Sequence, residues 1–403
     1  MKILVINCGS SSIKFGLFEG SGLKQLSLGI IEKIGFDKAD IRFRNHAGME
    51  INSEEAVANH EEGIKLILDA LTREDFGCLK DLSELHAVGH RVTHGGDKFR
   101  ESIRINKSHL AALRKYSELA PLHNPHNLKG IIAIQKLIPD VKQVAVFDTT
   151  FHQTLPEHAY MYAIPYKYYE KYKIRRYGFH GTSHNYVAHK ACEILKVDIK
   201  EQRIISCHLG NGSSITAIKN GQSIDTSMGF TPAEGLIMGT RPGDLDAGIM
   251  PYIMKKEGID CEEAGTILNE QSGILGVSGV SSDMREIEEA INRDKDPRAR
   301  LSMEMFYYRI RKYIGAYTAV LNGVDIIVFT GGIGENCHEI SNGLCHGLDY
   351  LGIEMKRDDN DRPGSEEKII STANSRVTVM IVPTNEELVI AGETLQLVAK
   401  KST

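Results

Sequence analysis

The sequence lacks a basic excess. Its 48 Lys+Arg stand against 53 Asp+Glu, a formal net charge of −5. Proteins that grip nucleic acid or anionic lipid need the opposite balance, so neither is expected as a partner. An anionic small molecule stays open, because a small basic cluster can sit inside an acidic protein. Cysteine is sparse: Cys8, Cys78, Cys192, Cys207, Cys261, Cys337 and Cys345 are odd in number, scattered and never in a C-x-x-C pair. That disfavours a disulfide framework or structural zinc and fits a reducing compartment. Cys337-His338 and Cys345-His346 lack a second pair at finger-like spacing. No apolar run approaches the ~18 residues of a membrane helix, and Met1 to Asn7 is too short for a signal peptide, so the chain is expected to be soluble and cytoplasmic.

Several catalytic signatures are missing as well. There is no G-x-x-x-x-G-K-[ST], no H-E-x-x-H and no G-x-S-x-G. Gly210-Asn211-Gly212 and Gly332-Ile333-Gly334 both lack the third glycine of a dinucleotide fingerprint. No Ser/Gly linker or low-complexity segment divides the chain, although 403 residues suffice for two or three domains.

What is present alternates between strand and helix patterns. Strands are expected at Ile3 to Ile6, Ile13 to Phe18, Leu85 to Gly89, Val141 to Phe147, Ile204 to His208, Ile326 to Phe329 and Val377 to Val382. Helical spacing covers Glu54 to Thr72 behind Ser53 as N-cap, Ser108 to Leu119, Asn127 to Leu137, Tyr186 to Leu195, Leu301 to Leu321 and Glu386 to Val398. The stretch before Asn52 is polar and weakly patterned. The alternation predicts an α/β fold.

The chain also echoes itself. Ser11-Ser12-Ile13 and Ser213-Ser214-Ile215 stand 202 positions apart, half the chain, and each lies in a strand, small-residue turn, strand pattern. Such turns can cluster backbone N–H groups and hydroxyls around a phosphate, or simply be tight hairpins. The spacing suggests a duplicated domain.

Four segments concentrate reactive side chains. In Gly89 to Gly96, Arg91 follows a buried strand and can bind an anion in two-point fashion or serve a structural ion pair. In Phe147 to His152, Asp148 closes a strand and can act as base, water-mediated metal ligand or N-cap. Arg175 to His184 packs two arginines, two histidines and two glycines into ten residues; a loop histidine there can donate to developing negative charge. Asp225 to Asp246 is long and glycine-rich with Arg241 embedded. Gly331 to Asn336 follows a strand and offers bare backbone to a flat nucleotide. This inventory suits phosphoryl transfer, in which a protein mainly positions groups and neutralises charge.

Together Asn7 to Lys14, Gly89 to Gly96, Phe147 to Pro156, Tyr177 to His184, His208 to Ser214, Asp225 to Asp246, Gly331 to Asn336 and Pro383 to Glu387 resemble the acetate kinase family, in order and across nearly the whole chain. The resemblance implies two duplicated actin-like ATPase domains of ribonuclease H-like fold around a nucleotide cleft, one from 1–150 plus 387–403 and one from 151–386. It implies reversible, in-line transfer of the ATP γ-phosphoryl group to acetate, giving acetyl phosphate and ADP. Mg2+ or Mn2+ would be held by Asn7 and Glu386, and the enzyme would be a homodimer. Asp148, His180, Arg241 and Arg91 would be catalytic; Arg91, Thr93, Leu122, Phe179 and Pro232 would bind the acid. Nucleotide would meet Lys14, His208, Leu209, Gly210, Asn211, Gly212, Asp283, Met284, Arg285, Gly331, Gly332, Ile333, Gly334 and Glu335. Asp283-Met284-Arg285 stands where the family has Asp-Phe-Arg, and Thr93 and Pro242 replace a usual valine and a small polar residue. The Thr93 hydroxyl must find a partner or water. A propionate kinase is one alternative, and a non-enzymatic actin-like nucleotide switch another; the switch would need no Arg91, His180 and Arg241 together.

Overall fold

A computed structural model describes residues 1–118, 120, 123–336, 343–345, 347–356 and 366–399. Leu122, the Cys337-His338 pair and His346 lie outside the described residues. The chain divides into two compact units, Met1–Thr150 with Asn385–Thr403, and Phe151–Thr384. Glu386 therefore belongs to the first unit.

The first unit is built on an eight-stranded sheet of β1 (Lys2–Cys8), β2 (Ile13–Glu19), β3 (Lys24–Glu32), β4 (Ala39–Asn45), β5 (Glu50–Glu55), β6 (Leu85–Val92), β7 (Ile103–Arg104) and β8 (Lys142–Phe147), ordered β5-β4-β3-β2-β1-β6-β8-β7. β1 and β2 form an antiparallel hairpin with Asn7 opposite Lys14. β1, β6 and β8 run parallel, and such strands need cover on both faces. Ile13, Phe15 and Leu17 alternate onto one face, where the helix His60–Thr72 contributes Ile64, Ile67, Leu68 and Leu71. Ile3, Val5, Ala87, Val144 and Val146 face the other way, against Ile390, Ala391 and Val398 of the helix Glu386–Ala399. That helix lies close to β6 at Gly89, where an added Cβ would fall 2.4 Å from the Thr394 hydroxyl.

The second unit repeats the scheme with β9 (Arg203–His208), β10 (Ser214–Lys219), β11 (Gln222–Thr226), β12 (Ile326–Thr330), β13 (Lys368–Ile369) and β14 (Thr378–Ile381), ordered β11-β10-β9-β12-β14-β13. β9 and β10 form a hairpin with His208 opposite Ser214, while β9, β12 and β14 are parallel. The run β11-β10-β9-β12-β14 thus matches β3-β2-β1-β6-β8 strand for strand and direction for direction, which is the duplication that the echo suggested. Ile205 and Cys207 pack toward the helix Pro297–Leu321 through Phe306, Ile310 and Ile314. Ile204, Ile218 and Val328 pack with Val187, Ala188 and Ala191 of the helix Gly181–Leu195.

Two expectations need correction. The polar stretch before Asn52 holds three strands, β3 to β5, and residues Glu54 and Glu55 end β5 rather than start a helix. β5 is almost wholly exposed, so it shows no apolar alternation to read. The helix starts at His60, capped by the Asn59 side chain on the Glu62 amide. The described cysteines are all free. Among the described residues, no helix is long and apolar enough to cross a membrane.

Candidate functional site

In the first unit, three adjacent parallel strands deliver reactive groups at their carboxyl ends, the edge where open α/β sheets bind ligands. Asn7 comes from β1, Arg91 from β6, and Asp148 directly follows β8. Arg91 and Asp148 form a two-point ion pair: Nε donates to Oδ1 at 3.0 Å and Nη2 to Oδ2 at 2.6 Å. Asp148 is fully buried, and its backbone N–H donates to the Val92 carbonyl, so both members are fixed by the sheet itself. Burial works against the charge on Arg91, but Asp148, Glu386 and Glu387 outweigh it and hold the guanidinium pKa above its ordinary value. The pair uses two of the five guanidinium donor hydrogens, leaving others for an anion.

Glu386 opens the helix that covers this sheet face. Its Oε1 is buried with no hydrogen-bond partner among the described residues. Burial first, then the neighbouring Asp148 and Glu387 charges, push its pKa up to about 7, against the pull of Arg91 and Lys14. An unpartnered, desolvated carboxylate oxygen suits a hard cation that takes oxygen ligands. Among the described residues, no three His, Cys, Asp or Glu side chains form a metal cage.

The raised Glu386 pKa has a measurable consequence. The folded protein holds this proton more tightly than the unfolded chain, so stability falls as pH rises from about 4.5 to about 7 and then levels off. In metal-free protein, Glu386→Gln should remove that component. The unfolding free energy of the variant relative to wild type, from chemical denaturation, is expected to climb across this range, with a slope limited to about 1.4 kcal/mol per pH unit. A constant difference between the two would contradict the raised pKa.

Thr93 follows β6, and its hydroxyl is satisfied: Oγ1 donates to Asn127 Oδ1 at 3.2 Å, and the Thr93 N–H donates to the same oxygen at 3.0 Å. Asn127 Nδ2 in turn donates to the Cys8 carbonyl at 2.8 Å, tying the helix Asn124–Leu137 to β1. Thr93→Val should therefore cost no more than about 1 kcal/mol by chemical denaturation, because the backbone amide keeps Oδ1 bonded. Asn127→Ala would take the partner from three groups, the Thr93 N–H, the Thr93 hydroxyl and the Cys8 carbonyl, and cost more, on the order of 2–3 kcal/mol. Asn127 carried no functional signal in the sequence.

The second unit brings together His180, His208, the turn Leu209 to Ser213, Gly331 to Glu335 and Arg241. His180 adopts a left-handed backbone (φ 55°) at the start of the helix Gly181–Leu195. Its ring stacks on His208 with centroids 4.2 Å apart. Gly210 N–H donates to Ser213 Oγ at 3.2 Å, and Leu209 N–H to the Thr330 carbonyl at 2.7 Å. The Leu209 carbonyl accepts from the amides of Ile333 and Gly334, so the turn and the glycine segment after β12 are one construction. Glu335 Oε1 accepts from Gly331 N–H at 2.9 Å and Thr384 N–H at 3.0 Å, a job of holding backbone.

Arg241 sits in the irregular segment after β11. The segment meets the turn at Gly239, whose N–H donates to the Asn211 carbonyl; an added Cβ there would fall 1.9 Å from Asn211 Oδ1, so a larger residue would have to turn that side chain away. Arg176 Nη1 donates to the carbonyls of Thr226, Ser227 and Met228, and Nη2 pairs with Glu234, which also accepts from the Tyr162 hydroxyl. Asp244 takes the Gly235 amide and the Tyr313 hydroxyl. Held by these contacts, Arg241 has no ion pair among the described residues, and burial pulls its pKa down with nothing opposing. A half-buried guanidinium with no counter-charge is partly desolvated and gains when an anion arrives.

Other sequence candidates divide differently. Phe179 is buried with Met228 and Met238, and Pro232 lies in the same irregular segment as Arg241, whereas Thr93 belongs to the first unit. Met284 is in the second unit's core, and Asp283 caps the helix Met284–Asn292 while pairing with exposed Arg285. Arg176 and Glu234 lie in segments the sequence singled out, yet no spacing reveals that they fasten one to the other.

Comparison with known proteins places these groups in context. The family model described as the Acetokinase family matches residues 2–392. An acetate kinase from Parabacteroides distasonis is 52% identical over 401 residues, covering all of both chains. One from Thermoanaerobacterium thermosaccharolyticum is 54% identical over 398 residues, 99% of both. The crystal structure of Porphyromonas gingivalis acetate kinase superposes with a TM-score of 0.91 at 47% identity, covering 98% of this chain and 99% of that one. A Francisella tularensis propionate kinase follows at 0.89 and 41%, with the same coverage.

Proposed function

The chain belongs to the acetokinase family, and we propose from that premise that it moves the γ-phosphoryl group of ATP onto acetate, reversibly, giving acetyl phosphate and ADP. The family acts on a carboxyl group with ATP/ADP as co-substrate. Propionate as preferred acid is the weaker reading, since the propionate kinase is 41% identical and the curated acetate kinases 50–54%. The observation that supports the site reading is Arg241, a half-buried cation without a counter-charge among the described residues, in a segment shaped by Arg176, Glu234 and Asp244.

The roles follow from the chemistry of each group. Arg241 would hold the transferring phosphoryl group, whose equatorial oxygens carry the charge. Arg91, oriented by Asp148, would bind the acid's carboxylate with its remaining donors. His180 would donate to charge developing in the transition state. The turn Leu209 to Gly212 and Lys14 would bind phosphates, and Gly331 to Gly334 the nucleoside end. Asn7 and Glu386 would hold Mg2+, which when bound neutralises phosphate oxygens. Holding acid and phosphoryl donor in line replaces a bimolecular encounter, and no covalent enzyme intermediate is required.

The reverse reaction tests this directly. Protein supplied with acetyl phosphate, ADP and Mg2+ should form ATP, and chelation should stop it. No ATP from acetyl phosphate would refute the assignment.

A further inference from the structure

We propose that His184, acting through Ser214, is a positioning residue that fixes the tautomer of His180, keeping the ring hydrogen on Nε2. The proposal rests on the reading above that His180 faces the transferring phosphoryl group.

Strand alternation makes the arrangement. Ile204, Ser206 and His208 share the face of β9 turned toward the helix Gly181–Leu195, as do Ser214, Thr216 and Ile218 of β10. Where this face meets the helix's first turn, hydroxyls replace the aliphatic side chains. Ser206 Oγ lies 2.9 Å from His184 Nδ1, His184 Nε2 lies 2.7 Å from Ser214 Oγ, and Ser214 Oγ lies 3.0 Å from His180 Nδ1. Ser206, His184 and Ser214 are all fully buried. The two histidines are four residues apart and joined by backbone, the His184 N–H donating to the His180 carbonyl at 2.9 Å.

The direction of this chain can be worked out by counting hydrogens. Burial, with the neighbouring rings of His152 and His208, keeps His184 neutral, so it has one N–H and one bare nitrogen. Ser214 has one hydrogen for two imidazole neighbours. In one direction, Ser206 O–H donates to His184 Nδ1, His184 Nε2–H to Ser214 Oγ, and Ser214 O–H to His180 Nδ1. Three hydrogens then make three bonds, and His180 carries its own hydrogen on Nε2. In the other direction His184 Nδ1–H donates to Ser206, and the Ser206 hydroxyl hydrogen must seek a further acceptor. Ser206 Oγ makes no other hydrogen bond among the described residues, so that direction strands a fully buried hydroxyl hydrogen. The first direction is the one the structure satisfies. It leaves neutral His180 a donor at Nε2, on the side where an added Cβ at Gly212 would stand 3.5 Å away. Donation to developing negative charge then needs no prior protonation of the ring.

The test is nitrogen NMR of uniformly 15N-histidine-labelled full-length protein, with His180 assigned by the resonance lost in His180→Asn. Chemical shifts of Nδ1 and Nε2 distinguish the two neutral tautomers. Wild type is expected to show the Nε2–H form. Ser214→Ala, which removes only the hydroxyl, should convert it to a mixture or to Nδ1–H, and Ser206→Ala should shift it in the same sense from two bonds away. In both variants kcat should fall roughly 10- to 100-fold, a part of what losing a transition-state donor costs, with KM for ATP and acetate little changed. A wild-type Nδ1–H form, or a tautomer indifferent to both substitutions, would overturn the proposal. A tautomer that switches while kcat holds would support the positioning chain and remove His180 from the chemistry.

Discussion

Replacing Arg241 by alanine should all but eliminate turnover while leaving the protein as stable as before or more so. The two effects have one cause. In the ligand-free protein, Arg241 is a half-buried guanidinium with no ion pair among the described residues, and desolvation alone depresses its pKa. Such a charge is a liability to the folded state, and removing it relieves desolvation rather than breaking a bond. In the reaction the same charge would meet the phosphoryl group, where losing one preorganised donor costs about 10²–10³ in kcat. Differential scanning calorimetry and steady-state rates on the same sample check both. An Arg241→Ala protein with a clearly lowered melting temperature would mean that the guanidinium is a structural strut and would contradict this account.

Asp148→Asn should behave in the opposite way, losing activity and stability together. Asp148 gives both oxygens to Arg91, and removing the charge leaves Arg91 with a single neutral acceptor in a site closed to water on that side. Breaking one partner of a buried pair costs about 3–5 kcal/mol when the remaining charge cannot rehydrate, and the partial exposure of Arg91 reduces that here. A loss of roughly 1–3 kcal/mol is therefore expected. With the guanidinium no longer locked, kcat/KM for the acid should fall by about 10² or more, and the KM for ATP should move less. Equal losses for acid and nucleotide would argue that Asp148 does not act through Arg91.

Much of this frame is legible in the chain, for identifiable reasons. The hairpins β1/β2 and β9/β10 are readable because short aliphatic strands flank turns of glycine and serine, and their half-chain offset announces the duplication. β5 is not, because it lies almost wholly in water and carries charged residues where a buried strand would carry aliphatics, whereas β4 does alternate, Ile41 and Phe43 against Asp40, Arg42 and Arg44. Arg91 and Asp148 are visible separately as polar residues ending apolar strands, but the parallel register that sets them side by side is a property of the sheet. The Thr93 hydroxyl finds its acceptor 34 residues away on another helix, a distance no local pattern spans. Arg241 is conspicuous in its glycine-rich segment; that no described carboxylate pairs with it can be read only from coordinates. The same holds for Arg176, whose three carbonyl bonds depend on how the segment after β11 folds back.

The decisive measurement is an acyl phosphate assay with hydroxylamine as trap, run with ATP and Mg2+ on acetate, propionate and butyrate in parallel and with Arg91→Ala alongside. Hydroxamate formed fastest from acetate and lost in the variant is the expected result. Fastest product from propionate would keep the chemistry and move the specificity to the surroundings of Thr93. No acyl phosphate from any of the three acids, in a protein that binds ATP, would contradict phosphoryl transfer to a carboxylate altogether.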